Sequence, residues 1–289
     1  MNDLNLYPES VSSLWIQNLI NGLSGQIIKV KQALYCESSP FQKVEVFETY
    51  SYGNVLCLGG SIVMTENDDT YHEMMVHPAV LMHNKPRTVC CIGGGDGGCL
   101  KELLKYPEIE KIVIIEIDQL VPATIRNHFP ALAEGFDDPR VEMVIDDGYN
   151  YLKTNDQIFD IILVDSFDPG GPVQSLETSD FHEIVAQRIS REGIAVFQTD
   201  SPLIRSSYIR STIQSISPFY AVYSPYICYI RAFPDGICSF LVCTHDKEIL
   251  EQFDHERYTT IASRCNYYND AIHQGSFMLP QYLKRIVNS

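Results

Sequence analysis

Polar and apolar residues alternate along KVEVFET at 43–49, and after a YGN turn the extended pattern resumes in VLCLGGSIVM. A period of two sends successive side chains to opposite faces, so such runs predict strands with one buried face. QIIKVKQALY precedes them with similar character, and residues 26–65 are expected to form a small antiparallel sheet. The period changes after TENDDT, where YHEMMVHPAVLMH has helical spacing and Asp69 or Thr70 stands ready to cap it.

From Arg87 onward the strand-like runs TVCCIGG, KIVIIEI, RVEMVI, FDIILVD and GIAVFQT alternate with the helical stretches GCLKELLKY, QLVPATIRNHF, GYNYLKT and TSDFHEIVAQRI. Repeated βαβ units require a mainly parallel sheet with helices on both faces. SYIRSTIQSI then reads as helix, YAVYSPYICYI and GICSFLVCT as strands, and the tail from KEIL as partly helical. The expected division is an antiparallel β domain over residues 1–68 and an α/β domain over 69–289, with no fixed-period repeat.

Composition narrows the function. The 289 residues are 45% hydrophobic and 20% charged, as in ordinary folded proteins, and carry a formal charge of −16. An acidic chain of pI ≈ 4.8 is a poor partner for nucleic acid, whose phosphates reward a basic surface, and a good one for a small cation. MNDLNLYPES lacks the basic start and apolar stretch of a secretion signal, and nothing approaches the ~20 apolar residues of a membrane span, so a cytoplasmic location is expected. The nine cysteines sit mostly in apolar runs without a C-x-x-C pair, which favours buried thiols over a metal or redox site.

The chemistry gathers at the strand ends. CIGGGDGGCL follows a strand and opens a helix, where Gly93, Gly95 and Gly97 permit a tight turn and a close ligand. Asp96 within that turn is ill suited to a pyrophosphate and well suited to an amine or hydroxyl. Glu116 follows about 20 residues later, where doubly wound folds station the carboxylate that accepts ribose hydroxyls. Asp146 and Asp147 end the next strand; one could accept from an adenine amino group while the other caps a helix. VDSFDPGGP adds Asp165 and Asp168. Turn chemistry alone needs at most one acid there, and so many carboxylates on one rim repel one another unless the ligand is cationic.

Over nearly its whole length the chain resembles the spermidine synthase family, the polyamine aminopropyltransferases, through FQKVEVFETYSYGNVLCLGG, TENDDTYHEMMVHP, IGGGDGG, EID, GFDDPRVEMVIDDG, DSFDPGGP and YYNDAIHQGSFMLP. The resemblance implies a Rossmann-like methyltransferase core behind the small β domain, and a homodimer or homotetramer. It implies transfer of an aminopropyl group from decarboxylated S-adenosylmethionine, a co-substrate, to a diamine, with no cofactor or metal. By position it implies donor contacts from Gln42, Gly93, Gly95, Asp96, Glu116, Asp147 and Pro172, proton acceptance by Asp165 with Tyr71 as its partner, and acceptor contacts from His72, Asp168, Gln198, Asp200 and Phe233.

The chain also departs from that pattern. Gly59 and Val63 replace an Asp and a Gln, Phe167 replaces the third residue of DSSDP or DSTDP, and RAFPDGI replaces PTYPSGQ, so that Phe233 stands for a Tyr and Ile237 for a Gln. A glutamate after the strand-end glutamine is shortened to Asp200, and the Trp15 segment LWIQN follows its family counterpart only loosely. Each lost hydrogen bond costs an amine roughly 0.5–1.5 kcal/mol. Putrescine is the expected acceptor, with cadaverine, methyl transfer from S-adenosylmethionine and non-catalytic polyamine binding as the alternatives.

Overall fold

The structure, a computed structural model, describes residues 14–20, 24–66, 69–165 and 174–287. Five strands, β1 (Leu14–Ile20), β2 (Ser24–Ser38), β3 (Lys43–Thr49), β4 (Asn54–Leu58) and β5 (Ser61–Thr65), form an antiparallel sheet in sequential order. Strand β1 extends this sheet beyond the expected 26–65, pairing Trp15 with Lys29 and Gln17 with Ile27. Seven more strands follow: β6 (Thr88–Gly93), β7 (Lys111–Glu116), β8 (Val141–Ile145), β9 (Phe159–Asp165), β10 (Ile189–Gln198), β11 (Val222–Tyr229) and β12 (Ile237–Thr244). Their order is β11-β12-β10-β9-β6-β7-β8; the five from β10 to β8 run parallel, and β12 and β11 are antiparallel additions at one edge. Order reverses between β6 and β9, which opens a crevice at their carboxyl ends.

The helices are α1 (Thr70–Met82), α2 (Gly98–Leu103), α3 (Leu120–His128), α4 (Pro130–Ala133), α5 (Gly148–Thr154), α6 (Ser179–Arg188), α7 (Ser206–Ile216), α8 (His255–Ile261), α9 (Asp270–Ser276) and α10 (Gln281–Val287). None of the described helices is long and apolar enough to cross a membrane. The central strands read as continuous apolar runs because both faces are covered. On one side Val89, Cys91, Ile112, Ile114, Ile161 and Leu163 pack with residues of α1, α2 and α3. Their neighbours Cys90, Ile92, Val113, Ile115, Ile162 and Val164 pack with α5, α6, α7 and α10 on the other.

Helix α1 is buried nearly all round because it lies among the large sheet, the small sheet and the C-terminal segment. Asp69 stands at its N-cap position without capping it; its carboxylate meets Lys101 at 2.6 Å and Asn266 at 2.7 Å instead. Pro78 lies inside α1 and cannot donate to the carbonyl four residues earlier. That carbonyl, of Met74, accepts from the Tyr226 hydroxyl at 2.9 Å, so β11 repairs the break. Buried Glu73 accepts from the backbone N–H groups of Asn266, Tyr267 and Tyr268 at 2.7, 2.9 and 2.7 Å, tying the C-terminal segment to the same helix.

Candidate active site

The glycine turn is shaped by what approaches it. Gly93 ends β6 with φ +83, and a Cβ there would meet the Asp165 carbonyl at 2.1 Å; a Cβ on Gly95 would meet Glu116 Oε2 at 2.5 Å. Glycine at both positions lets β6, β7 and β9 bring their ends together, and Gly93 lies directly opposite Asp165 in the parallel ladder. The result is a cleft of about 930 Å³, open mouth included, at the reversal point of the sheet, where open α/β folds gather their ligand groups. Gln42, Tyr71, Gly93, Gly95, Asp96, Glu116, Asp147, Asp165, Gln198 and Phe233 all line it, as do Leu58 and Val63 from the small sheet.

At its floor the Tyr71 hydroxyl donates a short hydrogen bond to Asp165 Oδ1, and the Cys99 thiol donates to Oδ2 at 3.5 Å. Burial pushes the Asp165 carboxyl up to about 6 and the Asp96 charge adds to the rise, while His72, Tyr71 and Cys99 pull it back. Burial and the Asp165 charge hold the Tyr71 hydroxyl well above the usual phenol range, so it stays a donor. An acid titrating near 6 is ionised at neutral pH and still able to accept a proton.

Asp96 is not a bare acid. Its Oδ2 meets His72 Nε2 at 3.1 Å and its Oδ1 accepts from the Gly98 N–H at 2.9 Å. Burial alone would strip the His72 proton, but the Asp96 carboxylate overrides it and holds the imidazole at about 9; in return, against its own burial, Asp96 is held below its usual range by the His72 charge. A ligand ammonium reaching Asp96 therefore competes with the His72 proton.

Glu116 ends β7. Its Oε2 accepts from the Gly95 N–H at 3.2 Å and its Oε1 from the Asp118 N–H at 2.9 Å, yet burial pushes the carboxyl up to about 7. Asp118, missed from the sequence although it sits in the EID segment, locks the small sheet onto this wall: its Oδ2 accepts from Ser39 Oγ at 2.7 Å and from Gln42 Nε2 at 3.3 Å. Of the paired acids after β8, Asp147 is the cap, accepting from Asn150 N at 2.9 Å and from Ser175 Oγ at 2.9 Å; Asp146 also lines the cleft.

On the remaining side Gln198 ends β10 in a buried position, and the Phe233 ring lies 6.3 Å from that of Tyr71. Asp200 turns away to Arg205, 3.0 Å from its Oδ2, from a left-handed backbone at φ 59. Phe167, Asp168 and Pro172 fall outside the described residues. Five acids and no Lys or Arg line the cleft among the described residues, a field that draws cations. Among the described residues two groups of side chains sit close enough to share a metal, His72, Cys99 and Asp165, and Glu73, His77 and Cys265. In the first, every member is already engaged by a hydrogen bond or ion pair.

Comparison with known proteins points the same way. The family profile described as "Spermine/spermidine synthase domain" matches residues 68–254, and "Spermidine synthase tetramerisation domain" matches residues 14–66. The chain is 37% identical over 260 residues to the polyamine aminopropyltransferase of Thermoanaerobacter sp. (strain X514), covering 90% of this chain and 93% of the relative. It is 32% identical over 278 residues to that of Bacillus subtilis (strain 168), covering 96% and 100%. A crystal structure of spermidine synthase in complex with the transition state analogue AdoDATO superposes with a TM-score of 0.93 at 30% identity, covering 100% of this chain and 99% of the other. The spermidine synthase of Thermotoga maritima superposes at 0.91, also at 30% identity, covering 99% and 98%.

Proposed function

Because the chain belongs to the spermidine synthase family and is a polyamine aminopropyltransferase, we propose that it moves the aminopropyl group of decarboxylated S-adenosylmethionine to a diamine, putrescine foremost, giving spermidine and 5′-methylthioadenosine. The observation that carries this reading is the Tyr71–Asp165 pair on the floor of an acid-lined cleft. Gln42 and Glu116 would hold the nucleoside, Glu116 through the ribose hydroxyls, and Asp147, which lines the cleft while capping α5, would also take the adenine amino group. Asp96 would meet the aminopropyl ammonium, with His72, Gln198 and Phe233 on the acceptor side; Asp168 and Pro172 keep the roles the resemblance gives them.

The sulfonium is already an activated electrophile, so the protein's task is alignment. Asp165 takes a proton from the acceptor ammonium, the freed nitrogen lone pair attacks the aminopropyl methylene carbon bonded to sulfur, and the C–S pair returns to sulfur as a neutral thioether. A free amine with a pKa near ~10.4 arrives protonated, which is why a carboxylate held near 6 beside the attack line is useful. A donor with an intact carboxylate would set a negative charge against Asp96, which disfavours methyl transfer. Trp15, Leu19 and Ile27 share the outer face of β1 and β2 and are 48%, 39% and 67% exposed. Together with the matched tetramerisation domain they support an assembly of two or four copies.

The test is incubation with the decarboxylated donor and a panel of amines, measuring methylthioadenosine against amine consumed. Putrescine is expected to be used best and cadaverine substantially, since one methylene is worth only about 1–3 kcal/mol in an apolar slot, and Phe233→Tyr should move the preference toward putrescine. Preference for a triamine or an aromatic amine would overturn the acceptor assignment; no methylthioadenosine with any amine would overturn the reaction.

A further inference from the structure

Three carboxylates act on the buried thiol of Cys238: burial chiefly raises it, Cys228 adds to the rise, and so do the charges of Asp200, Asp165 and Asp235. Two of the three are fully engaged: Asp165 by Tyr71 and Cys99, Asp200 by the Ser201 N–H and by Arg205. Asp235 differs. Its Oδ2 takes the Ser201 hydroxyl in a short hydrogen bond, while its Oδ1 is sealed from solvent without any donor. A carboxylate oxygen buried without a partner is costly, and a site that keeps one invites a cation. Its position fits. Asp235 lies two residues along the chain from Phe233, and its partner Ser201 three from Gln198, both of which line the cleft.

We propose that Asp235 is the specificity residue that grips the distal ammonium of the diamine, a role that rests on the aminopropyl-transfer reading of the cleft. With one nitrogen at Asp165 and the methylene chain along Phe233, the second ammonium fills the vacant side of Asp235. This assigns to Asp235 the far-end contact that Asp200, paired with Arg205, does not offer. The turn carrying Asp235 is pinned by Phe233 N to Ile230 O at 3.1 Å, Gly236 N to Phe233 O at 3.0 Å and Ile230 N to Gly236 O at 3.1 Å. Because Oδ1 is sealed, acceptor entry requires this turn to shift. The PTYPSGQ stretch of the family has Ser where this chain has Asp235, so Asp235→Ser tests the feature particular to this protein.

The measurement is the ratio of kcat/KM for 1,4-diaminobutane to that for butylamine, which lacks the distal charge. Loss of a charge-assisted contact should lower this ratio about 10- to 100-fold in Asp235→Asn and Asp235→Ser, with much of the preference restored in Asp235→Glu. An unchanged ratio, with both amines slowed alike, would make Asp235 a structural pin and overturn the proposal. Calorimetric titration of the folded protein with 1,4-diaminobutane, in the presence of methylthioadenosine, reads the same grip without turnover: affinity lower by about 10- to 100-fold in either variant supports it, and equal affinity overturns it. Absence of methylthioadenosine release by the unaltered protein would defeat the transfer reaction instead, leaving the calorimetric result to decide Asp235.

Discussion

Glu116→Gln should make the ligand-free protein relatively more stable as pH rises while impairing its hold on the nucleoside. The folded chain keeps the Glu116 proton up to about pH 7, whereas an unburied glutamate releases it near 4.5. Between those values the folded state binds more protons than the unfolded, so its stability falls as pH rises through the window. The full effect is roughly 3 kcal/mol, of which roughly 2 kcal/mol lies between about pH 5.5 and 8.5; the pI near 4.8 discourages work at lower pH. Glutamine cannot ionise and escapes this loss. It carries a separate penalty, because the Gly95 and Asp118 N–H groups each require an acceptor and an amide offers one oxygen, costing about 1–3 kcal/mol at every pH. The pH-dependent part can therefore be isolated by urea unfolding of both proteins, followed by circular dichroism at matched concentration at the two pH values. The stability difference should move by roughly 2 kcal/mol in favour of glutamine at the higher pH. Parallel stability curves would refute the reasoning, as would calorimetric affinity for methylthioadenosine that the substitution leaves intact.

Asp165 must be ionised to accept a proton and titrates near 6, so log kcat/KM should gain one further unit of slope below about pH 6; Asp165→Asn should remove that limb and slow turnover about 10²- to 10⁴-fold, and near-normal turnover would exclude it as base. Gly95→Ala places a methyl 2.5 Å from Glu116 Oε2, and Glu116 is pinned by two N–H groups, so stability should fall by about 1–3 kcal/mol and methylthioadenosine affinity with it; an unchanged dissociation constant would contradict this. Charging the outer face of the small sheet by Trp15→Glu with Ile27→Glu should reduce the mass seen by sedimentation velocity, and unaltered association would remove that face from the interface.

Much of this molecule follows from local pattern. A period of two in KVEVFET and continuous apolar runs from Cys90 to Val164 fix strands with one and two covered faces, because burial of side chains is a nearest-neighbour property of the chain. The same reasoning placed Asp96, Glu116, Asp147 and Asp165 at strand ends, where an open parallel sheet gathers its ligand groups. Other features depend on residues that meet only when the chain has folded. Strand β1 buries Asn18 and exposes Trp15 and Leu19, an inversion that LWIQNLI cannot announce: Asn18 is satisfied by the Ala232 carbonyl, 2.9 Å away and 214 residues on, and by the Ile62 N–H at 3.2 Å. Helix α1 tolerates Pro78 because Tyr226 comes from β11 to the orphaned Met74 carbonyl. His72 neutralises Asp96 only because α1 packs beside the start of α2, and the same packing desolvates both. Charge sign is written in the sequence, but which acids are paired, raised or left open is set by distance and burial. Those are properties of the packed interior, so Asp200 and Asp235 look equivalent along the chain and differ in the fold.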